Sequence, residues 1–534
     1  MLRKSPALGF VTLVLVLLLA AFPACDGDES SPSTDDDDTI DDANDDDDDT
    51  NNDAIDDDDD TIDDDNDDND TDDDDDDDDD NDTTPPENDD WRYMWDDQGR
   101  AIIFHGCNLD GSAKGASGLP AFTREEVLTL SEQWGFNFAR YLIFWARIEP
   151  EMGVYDEDYL DEVEIRLDWA HEAGLKVVLD MHQDLWGPFV GSRQGEGSDG
   201  APEWATITDG WPHIPFDEIF GGWAFNYLSP AINRAFDNFW AYDRHPELQD
   251  HFAAMWAHVA ERFGDHPAVI GYDPLNESWQ GTNMFRYQEF DQTLYSDFNE
   301  RVINAIREVD ADNWIFYEPC AFATNQGLPN HLRALSDPRP GEPRLAYFPH
   351  LYSAFIDLLG GYRPEVDHTL TLWEAFRRAE GERQRAPLFA GEWAMLSWFD
   401  EENRTQWNDE ALRMFERVTA GWAYWDCGSL KHNSEAHFFD LVTSAYPRVV
   451  AGFPTSYGYD PDTRTLTLEF DDRPGASGPT EIFIPAERDY PDGFDMEVDD
   501  PPDTWTSQWD ADSGVLSIWT DPTLGAHVIR IVPN

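Results

Sequence analysis

Between Trp91 and about residue 450, eight short apolar segments recur, separated by stretches of helical character. They are Ala101–His105, Asn137–Phe144, Lys176–Met181, Ala268–Asn276, Trp314–Glu318, Leu345–His350, Pro387–Glu392 and Gly421–Asp426. Glu157–Ala173 and Phe252–Phe263 are two of the amphipathic stretches between them. Strands that alternate with helices form parallel sheets. Eight such units predict an α/β chain built on a TIM (β/α)8 barrel with insertions. Past residue 450 the apolar period drops to two, in Thr463–Phe470, Glu481–Ile484, Val515–Trp519 and His527–Val532. Pro, Gly and Asp turns separate these runs, which predicts a C-terminal antiparallel β-sandwich. The expected boundaries are 91–449 for the barrel and 450–534 for the sandwich.

The 90 residues before the barrel read differently. Arg3 and Lys4 precede the apolar run Ala7–Ala21, and Ala24-Cys25 closes it. That run is short for a membrane span of about 20 residues and fits an export signal. Residues 1–25 are therefore expected to be a signal peptide with Cys25 as a bacterial lipidation site. The chain would then be exported and held at the cell envelope or surface by a lipid anchor; the alternatives are a secreted chain after a plain signal peptide, or an uncleaved anchor helix. Residues 26–90 carry 39 acidic residues and no Lys or Arg. Such a segment buries too little apolar surface to fold, and its like charges extend it, so a spacer is expected. The remaining 91–534 still holds 75 acidic against 32 basic residues. That balance argues against nucleic acid as a partner, because phosphate binding depends on Lys and Arg. Cys107, Cys320 and Cys427 show no CxxC spacing. Either Cys107 pairs with Cys320, or the three are buried thiols.

Polar residues gather at the C-terminal ends of the predicted strands, the active face of a TIM barrel. Arg140 lies on the second. The third ends in Asp180-Met-His182-Gln183-Asp184, the fourth in Asn276-Glu277 and the sixth in His350-Leu-Tyr352. The seventh ends in Gly391-Glu392 and the eighth in Trp425-Asp426. Two carboxyl groups across the barrel mouth suit glycosidic cleavage, where one protonates the leaving oxygen and the other attacks or activates water. Glu277 and Glu392 are the candidates. Asn276 can bond a sugar hydroxyl, Tyr352 can hold Glu392 ionised, and Trp425 can stack on a sugar. His182 and His350 can orient carboxylates or bind sugar. Arg140 is either a sugar contact or a structural partner of a catalytic carboxylate. The histidines do not form a ligand cluster by spacing, so neither metal nor cofactor is expected.

These motifs resemble glycoside hydrolase family 5 of the 4/7 superfamily, and within it the endoglycoceramidases. The likeness lies in His105-Gly-Cys-Asn-Leu-Asp-Gly-Ser-Ala-Lys114, Phe144-Trp145, Arg147-Ile-Glu-Pro150, Leu179–Asp184 and Ile270–Glu277. Gly391-Glu392-Trp393, Gly452-Phe-Pro and Glu481–Pro485 extend it into the tail. The resemblance implies cleavage between oligosaccharide and ceramide with retention, Glu277 as acid/base and Glu392 as nucleophile. It also implies sugar contacts from Lys114, Asp184 and Asn276, with His182, His350 and Tyr352 around them. Ser278 departs from the family's usual Pro, and Trp393 stands where the family often has Phe.

The stretch between His182 and Ala268 is rich in aromatics, among them Trp186, Phe189, Trp211, Trp223, Phe236 and Trp240. It would lie over the active face, where apolar surface suits a lipid aglycone and Trp223 a substrate contact. The structural alternative is a small core that holds the insertion together. A monomer is expected. Two rivals remain: another family 5 activity on β-glucan, β-mannan or steryl glucoside, and a glycan- or glycolipid-binding lipoprotein without catalysis.

Overall fold

The computed structural model describes residues 89–534 apart from 194–195, 221–222, 355, 357–360 and 396–400. Cys25, the signal segment and nearly all of the acidic spacer lie outside the described residues. Among the described residues, no helix is long and apolar enough to cross a membrane.

The chain enters through two short strands, β1 (Met94–Trp95) and β2 (Ala101–Ile102). Eight parallel barrel strands follow: β3 (Phe104–Leu109), β4 (Phe138–Ile143), β5 (Lys176–Met181), β6 (Val269–Asp273), β7 (Trp314–Tyr317), β8 (Leu345–Tyr347), β9 (Phe389–Trp393) and β10 (Gly421–Tyr424). Their order runs β8-β7-β6-β5-β4-β3-β10-β9, and a parallel bridge between Tyr347 and Leu388 joins the two ends. One expectation shifts. Ala101–Ile102 is not the first barrel strand: it pairs with Met94–Trp95 and with Val449-Val450. The chain passes from that sheet into the barrel at Ile103, and β3 begins at Phe104. At Gly106 a Cβ would come 1.9 Å from the Phe138 carbonyl oxygen, so only glycine allows this strand approach.

Local signals set the helices. Thr123 caps Arg124–Glu132 in a capping box with Glu126, and Asp156 caps Glu157–Glu172. Inside the lower barrel, Phe104, Phe138, Phe316, Phe348 and Phe389 fill the bore, with ring centroids 5.0–6.4 Å apart. This plug continues into the core of the sandwich. It gives the polar layer above it a low-dielectric floor.

The C-terminal part is two antiparallel sheets. One adds β11 (Tyr446–Val450), β14 (Thr480–Phe483), β17 (Val515–Thr520) and β16 (Trp505–Asp510) to β1 and β2. The other is ordered β12 (Phe453–Asp460), β13 (Thr465–Asp471), β18 (Ala526–Pro533), β15 (Phe494–Val498). Leu466, Leu468, Phe470, Ile482, Leu516, Ile518, Ile529 and Ile531 are buried between them. All four strands expected from period two are present. The edge strands β15 and β16 bury no residue fully and so left no pattern to read.

Cys107 is bonded to Cys427, which corrects the expected alternatives. Barrel closure makes β3 and β10 neighbours, so cysteines 320 residues apart meet. Cys320 is buried elsewhere and its Sγ lies 3.0 Å from the Ser278 carbonyl oxygen. Because the bridge closes so long a loop, Cys427→Ser is expected to lower unfolding free energy by about 2–4 kcal/mol. Denaturant titration of the oxidised protein measures this, and an unchanged midpoint contradicts it.

Candidate active site

Glu277 follows β6 and Glu392 lies in β9, on opposite sides of the barrel mouth. An oxygen of each and a nitrogen of His350 all lie within 4.8 Å of one another. Glu392 is nearly buried. Arg140 donates to its Oε1 at 2.6 Å and the Tyr352 hydroxyl to its Oε2 at 2.8 Å. Burial and the adjacent Glu392 charge push the Tyr352 phenol well above its ordinary pKa, so it stays a neutral donor. Glu277 is more open, its side chain 17% exposed against 5% for Glu392. Its Oε1 accepts from Asn325 Nδ2 at 2.6 Å and lies 3.0 Å from His350 Nδ1. Glu392 is thus the more buried of the two, and Glu277 the more open.

Below this pair lies a charged layer on the phenylalanine plug. Arg140, fully buried on β4, reaches Asp273 at 2.8 Å and Asp180 and Glu318 at 2.9 Å. It also bonds Asn108 and the Asn276 Oδ1. Every side of its guanidinium is therefore taken by protein. Arg140 is not a sugar contact; the structure places it as the buried partner of Glu392. Asn276 Nδ2 gives one hydrogen to the Gln183 carbonyl and keeps a second.

A second polar group lies beside Trp425. Lys114 Nζ bonds Asp184 and sits 4.4 Å from the Trp425 ring centroid. His182 stacks on Trp425 at 5.6 Å and is bonded by Asp180 at 2.7 Å. Burial lowers the His182 pKa, but Asp180 chiefly reverses this and lifts it to about 9. Asp199, buried against Asp184, is pushed up to about 8 by burial and by that neighbouring charge. In the unfolded chain its carboxyl titrates at the ordinary value near 4. The fold therefore holds the Asp199 proton more tightly, and that contribution is lost as pH rises through about 8. Asp199→Asn is thus expected to gain thermal stability relative to the parent as pH goes from about 5 to about 9. Melting curves across that range check it; a gain that shrinks with pH contradicts it.

Lys114 also lines a cavity of about 530 Å³ with Ser112, Pro188, Arg193, Gly197 and Ser198. Trp223, in the same insertion, donates its indole Nε1 to the Glu196 carbonyl at 2.7 Å and is 39% exposed. Its ring meets Tyr227 of the insertion edge-on, with centroids 5.9 Å apart. The insertion divides its aromatics. Trp186, Tyr227, Phe236, Phe239 and Trp240 are buried, as a small core requires, whereas Phe189 and Trp211 are 46% and 58% exposed.

Four residues of the layer carried no sequence expectation of a role: Asn108, Asp273, Glu318 and Asn325. Glu318 ends the fifth predicted strand, so the strand-end rule reaches it, but no flanking motif marks it.

Residues 95–431 match the family model "Cellulase (glycosyl hydrolase family 5)", and 445–532 the "Glycoside hydrolase family 5 C-terminal domain". The chain is 29% identical over 439 residues to endoglycoceramidase I of Rhodococcus hoagii (strain 103S), covering 77% of this chain and 82% of the relative. It is 25% identical to an endoglycoceramidase of Hydra vulgaris, over 77% of this chain and 82% of the relative. Among solved structures it is similar to endo-glycoceramidase II from Rhodococcus sp. in complex with ganglioside GM3. That match has 32% identity and a TM-score of 0.73, and covers 83% of this chain and 99% of the other. With both models matched and a neighbour at this identity covered end to end, the chain belongs to glycosyl hydrolase family 5.

Proposed function

We propose that this chain is a retaining endo-glycosidase that hydrolyses the β-glycosidic bond between the oligosaccharide and the ceramide of glycosphingolipids. The observation that carries the chemistry is the spacing of Glu277 and Glu392, whose oxygens approach within 4.8 Å. Retaining enzymes hold their carboxyl groups about 5–5.5 Å apart, and inverting ones about 6.5–9.5 Å, to admit a water. Glu392, held by two donors, attacks the anomeric carbon as the leaving oxygen takes the proton of Glu277. A glycosyl ester forms on Glu392. Glu277, now a base, takes a proton from water, which attacks the anomeric carbon from the other face; the bond from that carbon to Glu392 breaks, Glu392 leaves as the carboxylate and the original anomer is restored.

The sugar side is assigned to Lys114, His182, Asp184, Asn276, Trp425 and Trp223, of which Lys114 and His182 pack against the Trp425 ring and Asp184 bonds Lys114. The lipid reading draws on the named relatives and on the exposed Phe189 and Trp211 of the insertion. A non-catalytic binder would have no need of a buried carboxylate held by two donors at this distance from a second one. Export and anchoring through Cys25 complete the reading and rest on the N-terminal sequence.

The test is incubation of the purified protein with lactosylceramide, a ganglioside and a panel of β-glucans and β-mannans in detergent. Release of intact oligosaccharide, β at first by NMR, is expected. Turnover of polysaccharides alone would overturn the ceramide assignment, and initial release of the α anomer would overturn retention.

A further inference from the structure

Glu277 has a backbone feature that its side-chain contacts do not explain. Its φ is +39°, in the left-handed region that a residue with a Cβ adopts at a cost of about 1–3 kcal/mol. Something in the surroundings must hold it there. Two contacts do. Gln183 Nε2 donates to the Glu277 carbonyl at 2.9 Å, and the Glu277 N–H donates to Glu318 Oε2 at 2.7 Å.

Glu318 has a second hold. Its Oε1 lies 3.0 Å from His350 Nε2, while Nδ1 of the same ring lies 3.0 Å from Glu277 Oε1. The same Oε1 is 2.9 Å from Arg140. Glu318 thus touches the backbone of Glu277 directly and its carboxyl through one imidazole. Glu318 is only 3% exposed and lies beneath the mouth, so it has no route to substrate. The charges agree with this placement. Burial lowers the His350 pKa, but Glu318 and Glu392 more than reverse it, so the ring is charged and pairs with Glu277 on one side and Glu318 on the other. Burial raises Glu318, and His350 and Arg140 outweigh it, so Glu318 stays ionised. Asp273 beside it is pushed well up by burial and by the Glu318 charge.

We infer that Glu318 is a positioning residue for proton transfer, fixing the Glu277 carboxyl at the leaving oxygen by gripping its amide and the imidazole beside it. This rests on the reading of Glu277 as acid/base. A residue in this role matters in proportion to how much the leaving group needs a proton. A merely structural one lowers all reactions alike.

The experiment compares kcat/KM on lactosylceramide, whose alkoxide must be protonated, with that on dinitrophenyl β-lactoside, whose phenolate leaves unaided. Glu318→Gln is expected to lose about 10²-fold on the first and less than about fivefold on the second. Glu277→Gln is the control and should show the same split more strongly. If it does not, the acid/base assignment fails. If Glu277→Gln splits the substrates and Glu318→Gln lowers both equally, or neither, the inference about Glu318 is overturned while the assignment stands. Melting curves check that each variant is folded. Should Glu318→Gln not fold, Glu318→Asp, which keeps the charge and shortens the reach, is read for the same ratio.

Discussion

Glu392→Gln is expected to lower kcat on lactosylceramide by about 10⁴-fold or more, with little change in glycolipid binding. The amide is almost the shape of the carboxylate. Its oxygen can still accept from Arg140, which donates to Oε1 at 2.6 Å in the parent. What it lacks is the negative charge that makes the oxygen a nucleophile and lets a neutral glycosyl ester form, so both steps of the double displacement are lost together. No nearby carboxylate can substitute. Asp180, Asp273 and Glu318 are all held against the Arg140 guanidinium below the pair. Activity is read on purified protein and binding by calorimetry with the same substrate in detergent. Turnover within about tenfold of the parent would mean that Glu392 is not the nucleophile.

Arg140→Met should destabilise the fold by at least about 3–5 kcal/mol, the usual consequence of removing one partner from a buried ionic group. The expected loss is toward the upper end here. One fully buried guanidinium faces four carboxyl groups, Asp180, Asp273, Glu318 and Glu392. The phenylalanine plug below excludes water, with Phe348 5.9 Å from the guanidinium carbon. Without the cation, like charges repel in a medium that screens them poorly. The variant's deficit should therefore shrink at acid pH, where protonation relieves the repulsion. Arg140→Lys should not restore stability, since an ammonium cannot reach partners on several sides of the bore. Urea unfolding at two pH values measures both effects. A loss below about 1 kcal/mol would show that the layer is not held by this charge.

The legible and illegible parts of the sequence divide on physical grounds. Glu277 and Glu392 were readable because each closes an apolar strand run, and the barrel puts strand ends at one mouth. Arg140 was readable as important, but its two roles differ only in which way the guanidinium points, and that depends on packing. The Cys107–Cys427 bridge follows from closure of the barrel, which joins the first and last strands. Spacing along the chain, by contrast, favoured no pair. Ala101–Ile102 carried the right apolar pattern for a barrel strand yet pairs with β11 of the other sheet. Glu318 and Asn325 sit where no motif marks them; their importance comes from contacts to the Glu277 amide and carboxyl. A lone acidic residue at a strand end gives that away only in three dimensions.

The central claim is that Glu392 forms a covalent bond to the sugar. Incubating the protein with a 2-deoxy-2-fluoro β-lactoside bearing a good leaving group slows the second step and traps the ester. Peptide mass spectrometry should then find one fluorolactosyl group on Glu392. A label on Glu277, or complete hydrolysis to the α anomer with no labelled peptide, would contradict the account.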